Sequence, residues 1–479
     1  MSLSPDFRPS TRHAQLGEAF YDVVKPASFP ERRLRFRNER WAARVGLDGL
    51  TEAEWLDHFG RFAPLPGSFP QPLALRYHGH QFGVYNPDLG DGRGFLFAQV
   101  HDLHDGRLLD LGTKGSGRTP WSRMGDGRLT LNGGIREVLA TEMLEAQGVN
   151  TSKSFSLIET GEDLDRGDEP SPTRSAVLTR LSHSHIRIGT FQRFLALDEP
   201  DNIRRLLDYV IETYWPGLAP LPAAERPTAF LEALGGVTAR MGAQWMVAGF
   251  VHGVLNTDNI NVTGESFDYG PWRFLPTHDA GFTAAYFDHA GRYAYGRQPS
   301  VLLWNLCRLG ECLLPLAPQA AIEAALGAFA PTFRQAFVEE TMRRLGLELE
   351  GGEADTRLTE TFWTFLRDSQ APFEQAFFDL YGGEASAARR ARSPAAEAYS
   401  GDAFAAFGTM LAAARSRPNL RLDHAYFAAP EPCAMVHAEV ETILGAIAAG
   451  DDWAPFHAKL AHIAQMRKAY GTETAALPT

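Results

Sequence analysis

Between His252 and Gly270 the chain reads HGVLNTDNINVTGESFDYG, and its polar residues are spaced for nucleotide chemistry. Asp258 and Asn259 stand side by side in front of a short β-like run, and Asp268-Tyr269-Gly270 begins nine residues after Asn259. The parts of a magnesium-nucleotide site are here: a loop carboxylate, an amide oxygen able to ligate a cation, and a later Asp ahead of Gly. The chemistry they suggest is movement of a phosphorus group from ATP.

Laid over the catalytic loop of protein kinases, HGVLNTDN has the same eight-residue length, and His252 and Asn259 coincide with the His and Asn there. Where that loop carries its catalytic Asp, this chain has Val254. The segment reads as able to hold metal and nucleotide while lacking the ordinary kinase base.

Three further clusters fit the same chemistry. The turn Gly90-Asp91-Gly92-Arg93 would let backbone amides approach phosphates, with Arg93 adding a planar cationic fork, although an ordinary β-turn has the same composition. In LGTKGSGRTPWSRMGDGR, residues 111–128, the glycine spacing is not that of a Walker A loop. It reads as a strand end delivering Lys114 to phosphate oxygens, followed by a flexible loop ending at Asp126-Gly127. Only five residues in the whole chain are Lys, which makes one flanked by glycines conspicuous. Glu137, 23 residues downstream on a predicted helix, is placed to hold Lys114 in an ion pair. Arg180 and Arg187, at a strand end and in the loop beyond, could clamp a polyphosphate or form surface salt bridges. His78 and His80 have metal-ligand spacing but no evident third ligand.

The elements that must position these residues follow from periodicity. Residues 1–75 form an N-terminal extension punctuated by proline, with a helix-like piece from Glu52 to Phe62. Residues 76–195 are β-rich, with strands predicted at Gly94–Val100, Arg107–Gly112, Ser154–Thr160 and Ser175–Leu181 and one helix from Ile135 to Gly148. Residues 196–317 turn helical, with apolar residues at three- and four-residue spacing in Ile203–Tyr214, Thr228–Gly249 and Pro299–Leu314 and a β-hairpin expected at Phe282–Tyr295. Residues 318–479 are helical throughout. The fold class expected is α+β. A net charge of −12 argues against a nucleic-acid partner, and no apolar run is long enough for a membrane span. Three irregularly spaced cysteines, Cys307, Cys312 and Cys433, make neither a disulfide framework nor a zinc site and fit a reducing cytoplasm.

Taken together, YHGHQFG, NPDLGDGR, the Lys-Gly-x-Gly stretch with TPWSRMGDGR, GIRE, TRLSHSHIRIG, HGVLNTDN and FDYGP closely resemble the selenoprotein O family, also called YdiU-like pseudokinases. The resemblance runs from about Arg76 to Leu316. It implies a protein-kinase-like two-lobe fold, here with an N-terminal and a helical C-terminal extension, that binds ATP in a flipped orientation. It also implies transfer of AMP to Ser, Thr or Tyr hydroxyls of proteins, with Mg2+ or alternatively Mn2+. On that resemblance Lys114 contacts phosphate with Glu137 as its partner, and Gly90, Gly92, Arg93, Asp126, Gly127, Arg180 and Arg187 contact nucleotide. Asp258 is the general base, Asn259 a metal ligand, and Asp268 a ligand of both metal and ATP. Alternatives are a small-molecule phosphotransferase of the aminoglycoside-kinase type, against which Val254 counts, and a nucleotide-binding scaffold without catalysis.

The family often ends in a selenocysteine or cysteine that pairs with a cysteine near the active-site loop. Here the tail AYGTETAALPT has neither, and the matching loop position is Ala284. Activity is expected to be independent of thiol redox state, and a large reversible response to reductant in an adenylylation assay would overturn this.

Overall fold

Residues 3–167 and 169–472 are described by a computed structural model, whose centre is a nine-stranded antiparallel sheet. Its strands run in the order Tyr21–Val23, Leu73–Leu75, Leu96–His101, Leu108–Lys114, Thr173–Ser182, Lys153–Leu164 and Arg33–Arg37. Pro9–Ser10 joins the Leu96 strand, and Leu129–Thr130 joins the Thr173 strand. The four strands predicted from sequence are all present. Residues 1–75, whose role the composition does not disclose, contribute four more short strands to the same sheet.

Both faces of the sheet are covered. Helices Glu39–Arg44 and Glu52–Gly60 lie over one face, where Trp41, Trp55 and Phe59 share a core with Phe97, Phe155 and Val177. On the other lies Leu131–Ala146, which buries Ile135, Val138 and Leu139 against Leu157 and Leu178. Thr130 caps this helix by accepting from the Gly133 amide at 3.1 Å, satisfying one of its open N–H groups. Gly134 permits the close helix–sheet approach, since a Cβ there would sit 2.4 Å from Leu157 Cδ1. Burial of these aliphatic side chains, worth about 1.5–3 kcal/mol each, fixes the helix that carries Glu137.

The C-terminal half is helical, with Pro200–Tyr214, Arg226–Ala248 and Gln298–Leu313 close to their predicted bounds. The helix Ala454–Tyr470 returns to the Leu131–Ala146 helix, where Arg467 Nη2 donates to Glu142 Oε2 at 2.6 Å. Asn38 Nδ2 donates to the other Glu142 oxygen at 2.9 Å, so residues from both ends of the described chain brace one helix.

Two local expectations are corrected. The segment 282–295 is a run of turns and not a β-hairpin. The Asp288 carboxylate accepts from the backbone N–H groups of Arg292 and Tyr293 at 2.9 and 2.8 Å, closing a compact loop that occupies donors a strand would need. The β-like run after Asn259 makes only an isolated bridge, Asn261 to Arg187. No helix among the described residues is long and apolar enough to cross a membrane.

Candidate active site

Strand register sets the first part of the site. Thr173–Ser182 pairs with Leu108–Lys114 so that Leu178 faces Lys114 and Arg180 faces Gly112, which brings Lys114 and Arg180 to the same face of the sheet. The Leu131–Ala146 helix covers that face and delivers Glu137 between the two cations. Lys114 Nζ pairs closely with Glu137 Oε1, while Arg180 forks onto Glu137 with bonds of 3.0 and 3.1 Å. All three side chains are buried. Gly112 has no side chain because His185 takes that space: a Cβ would meet its ring at 2.1 Å.

Asp268 closes the cluster from the helical half. Its Oδ1 accepts from Lys114 Nζ at 2.9 Å and Arg180 Nη2 at 2.7 Å, and its Oδ2 lies 3.8 Å from Arg187 Nη1. These cations hold its carboxyl well below the usual range despite burial, which acts in the opposite direction. The backbone at Asp268 has φ +65°, a left-handed conformation that costs a residue with a Cβ and persists because three cations fix the side chain.

Arg187 links everything else. Its guanidinium lies between the rings of Tyr77 and Phe267, at 4.7 and 4.9 Å from their centroids. From there it donates to the Asp258 carbonyl at 3.1 Å and to Asp91 Oδ1 at 3.4 Å. Asp91 Oδ2 in turn accepts from the Leu75 amide at 3.0 Å. One buried arginine therefore joins the glycine turn, the Asp258 loop and Asp268.

Asp258 lies in the 3-10 turn Thr257–Asn259, and its Oδ1 is buried without a hydrogen-bond partner among the described residues. Burial pushes the carboxyl up to about 6, Arg187 pulls it down and Asp268 adds to the rise. Its neighbours are pinned. Thr257 Oγ1 donates to Gln192 at 2.6 Å and accepts from the His80 amide at 2.7 Å, while Asn256 Oδ1 accepts from Tyr293 Oη at 2.7 Å. Asn259 Nδ2 donates to the Val254 carbonyl at 2.8 Å, which leaves Oδ1 as the atom able to ligate a cation. His252 is buried and its Nε2 faces the Phe267 carbonyl at 3.1 Å, tying this loop to the residue before Asp268.

The glycine-rich loops meet beside Lys114. Gly115 N–H donates to the Arg93 carbonyl at 2.6 Å, and Gly117 N–H to the Gly127 carbonyl at 3.1 Å. Gly90 and Gly92 are required by this packing, because Trp121 atoms stand 2.3 and 2.8 Å from where their Cβ atoms would be. Asp126 is committed to Arg166 at 2.9 Å. Arg93 is exposed, and its guanidinium has no ion pair among the described residues. His78 and His80 stand apart from this chemistry, bonded through Nδ1 to Tyr85 Oη at 2.6 Å and Gln192 Nε2 at 2.8 Å. No cluster of three or more His, Cys, Asp or Glu suited to a metal occurs among the described residues.

The family model described as protein adenylyltransferase SelO matches residues 4–464. The chain belongs to the SelO family. A protein nucleotidyltransferase YdiU of Gloeobacter violaceus is 46% identical over 98% of this chain and 96% of that one. Another of the same name, from Synechococcus elongatus, is 51% identical over 74% of this chain and 72% of its own length. Sequence reasoning about this SelO-family site missed Asp91, Tyr77 and Phe267. Asp91 lies inside the glycine turn and was read only as part of its punctuation, while the aromatic cage joins residues 190 positions apart and leaves no local signal. Ala284 packs near Gly253 of the Asp258 loop, Cys312 and Cys433 are buried, and the tail that a redox partner would occupy lies outside the described residues from 473 on.

Because Lys114 and Arg180 are buried on Glu137, a Glu137→Leu change leaves two interior cations sharing the Asp268 carboxylate alone. Stability measured by urea unfolding is expected to fall by about 3–5 kcal/mol, and a loss below about 1 kcal/mol would mean the cluster is effectively solvated.

Proposed function

We propose that this enzyme transfers the AMP moiety of ATP to Ser, Thr or Tyr hydroxyls of proteins and releases pyrophosphate. The observation that carries the reading is the relocated carboxylate. Val254 stands where a kinase has its base and offers only a carbonyl to Asn259, while Asp258, four residues on, presents a buried oxygen with no partner among the described residues. The family description and the relatives' names agree with this chemistry. The arrangement also suits a kinase-like two-lobe fold, with the sheet-rich residues 76–195 and the helical residues 196–317 meeting at Asp268 and residues 1–75 and 318–479 as extensions. Free thiols suit a cytoplasmic setting.

In the proposed reaction the acceptor oxygen attacks the α-phosphorus, the bond from that phosphorus to the bridging oxygen of pyrophosphate breaks, and the acceptor proton passes to Asp258. Lys114, Arg180 and Arg187 supply positive charge toward the phosphates, with Glu137 holding two of them in place. Gly90, Gly92, Arg93, Asp126 and Gly127 shape the loops that would receive a flipped nucleotide. Asn259 Oδ1 and the Asp268 carboxylate are hard oxygen donors of the kind Mg2+ takes, and the same donors accept Mn2+. Bound there, such an ion would neutralise charge on phosphate oxygens. Asp268 Oδ1 is already held by Lys114 and Arg180, which leaves Oδ2, 3.8 Å from Arg187, as the oxygen that would ligate the ion.

ATP labelled separately at the α- and γ-phosphorus tests the reading: label from α is expected on protein, and label from γ would indicate a kinase instead. Lys114→Ala and Asp268→Ala are expected to lower transfer by about 100-fold or more, and retained activity in both would overturn the site. Asp258→Asn is expected to leave nucleotide affinity nearly unchanged while slowing transfer about 10²- to 10⁴-fold. A base works only when deprotonated, so kcat/KM should fall as pH drops through about 6. An unperturbed carboxylate would keep activity down to about pH 4.

A further inference from the structure

Beside the Asp258 loop lies an open groove of about 700 Å3, lined in part by Phe82, Phe287, Arg292, Arg297 and Trp304. One wall is the hairpin of strands Gly79–Gln81 and Val84–Asn86, joined by Phe82 and Gly83. Both turn residues have positive φ, +51° and +82°, the conformation of a tight type I′ turn. Gly83 belongs there, but Phe is a costly choice at the first position. The Phe82 amide is held by Asn256 Oδ1 at 3.1 Å and Tyr293 Oη at 3.2 Å, and the residue stays 38% exposed. Around it Val84, Tyr286 and Phe287 are 71%, 74% and 41% exposed, with ring separations of 5.8 Å for Phe82–Phe287 and 5.0 Å for Tyr286–Phe287. An aromatic group held exposed to water on a strained backbone next to the Asp258 loop is a feature a partner would use.

The groove also carries unbalanced charge. Arg292 rests over Trp304 at 4.9 Å, and Arg297 Nη1 donates only to the Ala290 and Gly291 carbonyls at 3.2 and 3.1 Å; neither has a carboxylate partner among the described residues. The acidic lining residue, Asp288, is turned inward onto backbone amides. Position along the hairpin gives a ruler. A Cβ at Gly79 would lie 3.3 Å from Asp258 Oδ1, and Phe82 is three residues further on. At about 3.3 Å per extended residue that is roughly 10 Å.

We propose that this groove docks the acceptor protein through a linear segment with an apolar or aromatic side chain about three residues from the modified hydroxyl and an acidic residue beside it. The inference rests on the protein-acceptor reading above and gives it a substrate class. Two arginines without acids select the carboxylate, and the four exposed apolar side chains take the anchor.

A positional-scanning peptide library with one fixed hydroxyl, incubated with ATP labelled at the α-phosphorus, tests the proposal. Selection for Phe, Leu or Tyr near the third residue from the hydroxyl, with Asp or Glu adjacent, is expected at about tenfold over the mean. The double change Tyr286→Ser with Phe287→Ser, at exposed positions, should remove the apolar preference. Arg292→Glu should turn the acidic preference into a basic one, with nucleotide affinity unchanged in both variants as the sign that each has folded. No positional selection, or selection unchanged in both variants, overturns the docking surface. So does label on intact protein with none on any library peptide, or a wild-type dimer by sedimentation that the double change makes monomeric. No α-label on any protein overturns instead the reading on which the inference rests.

Discussion

The interior of this enzyme is organised around charges that should not be buried unless something holds them there. Lys114, Arg180 and Arg187 are all sheltered from water and are balanced by Glu137, Asp268 and Asp91. Taking an ion out of water costs several kcal/mol, which pairing in a dry site only roughly offsets, so such a cluster is weak as a source of stability. Its value is positional. Each carboxylate comes from a different element: the Leu131–Ala146 helix, the FDYG turn and the glycine turn. Displacing any one of these elements deprives a buried cation of one of its two carboxylates, so the cluster penalises misaligned arrangements of sheet and helices.

The same arrangement distributes roles between residues that look alike. Asp258 and Asp268 are ten residues apart, and their environments drive their carboxyl groups in opposite directions. Asp268 sits among three cations and stays ionised, while Asp258 is governed by burial and is tied to Arg187 chiefly through its backbone carbonyl. Two carboxylates separated in this way can divide the work of holding cationic groups and accepting a proton.

Much of this was legible in the sequence, for identifiable reasons. The Leu131–Ala146 helix and the strands carrying Lys114 and Arg180 have long apolar periodicity, and the residue types around Asp258 have few other uses in that order. The N-terminal strands were not legible because they are two to five residues long and pair with partners far along the chain. The segment 282–295 misled because Tyr293 and Tyr295 alternate as strand residues do. Both are buried instead in the interior, where their hydroxyls are satisfied by Asn256 Oδ1 and the Met246 carbonyl. The cage around Arg187 depends on tertiary contact alone, and no local pattern announces it.

The brace between Arg467 and Glu142 bears on how the molecule is made. Those residues are 325 positions apart, so during synthesis the helix bearing Glu137 and its sheet emerge long before the helix that steadies them. Contacts of such separation form late and slowly. The lysine clamp therefore lacks this support until residue 467 has been made, and a nascent chain would carry every residue of the proposed nucleotide site while its Glu137 helix was still unbraced.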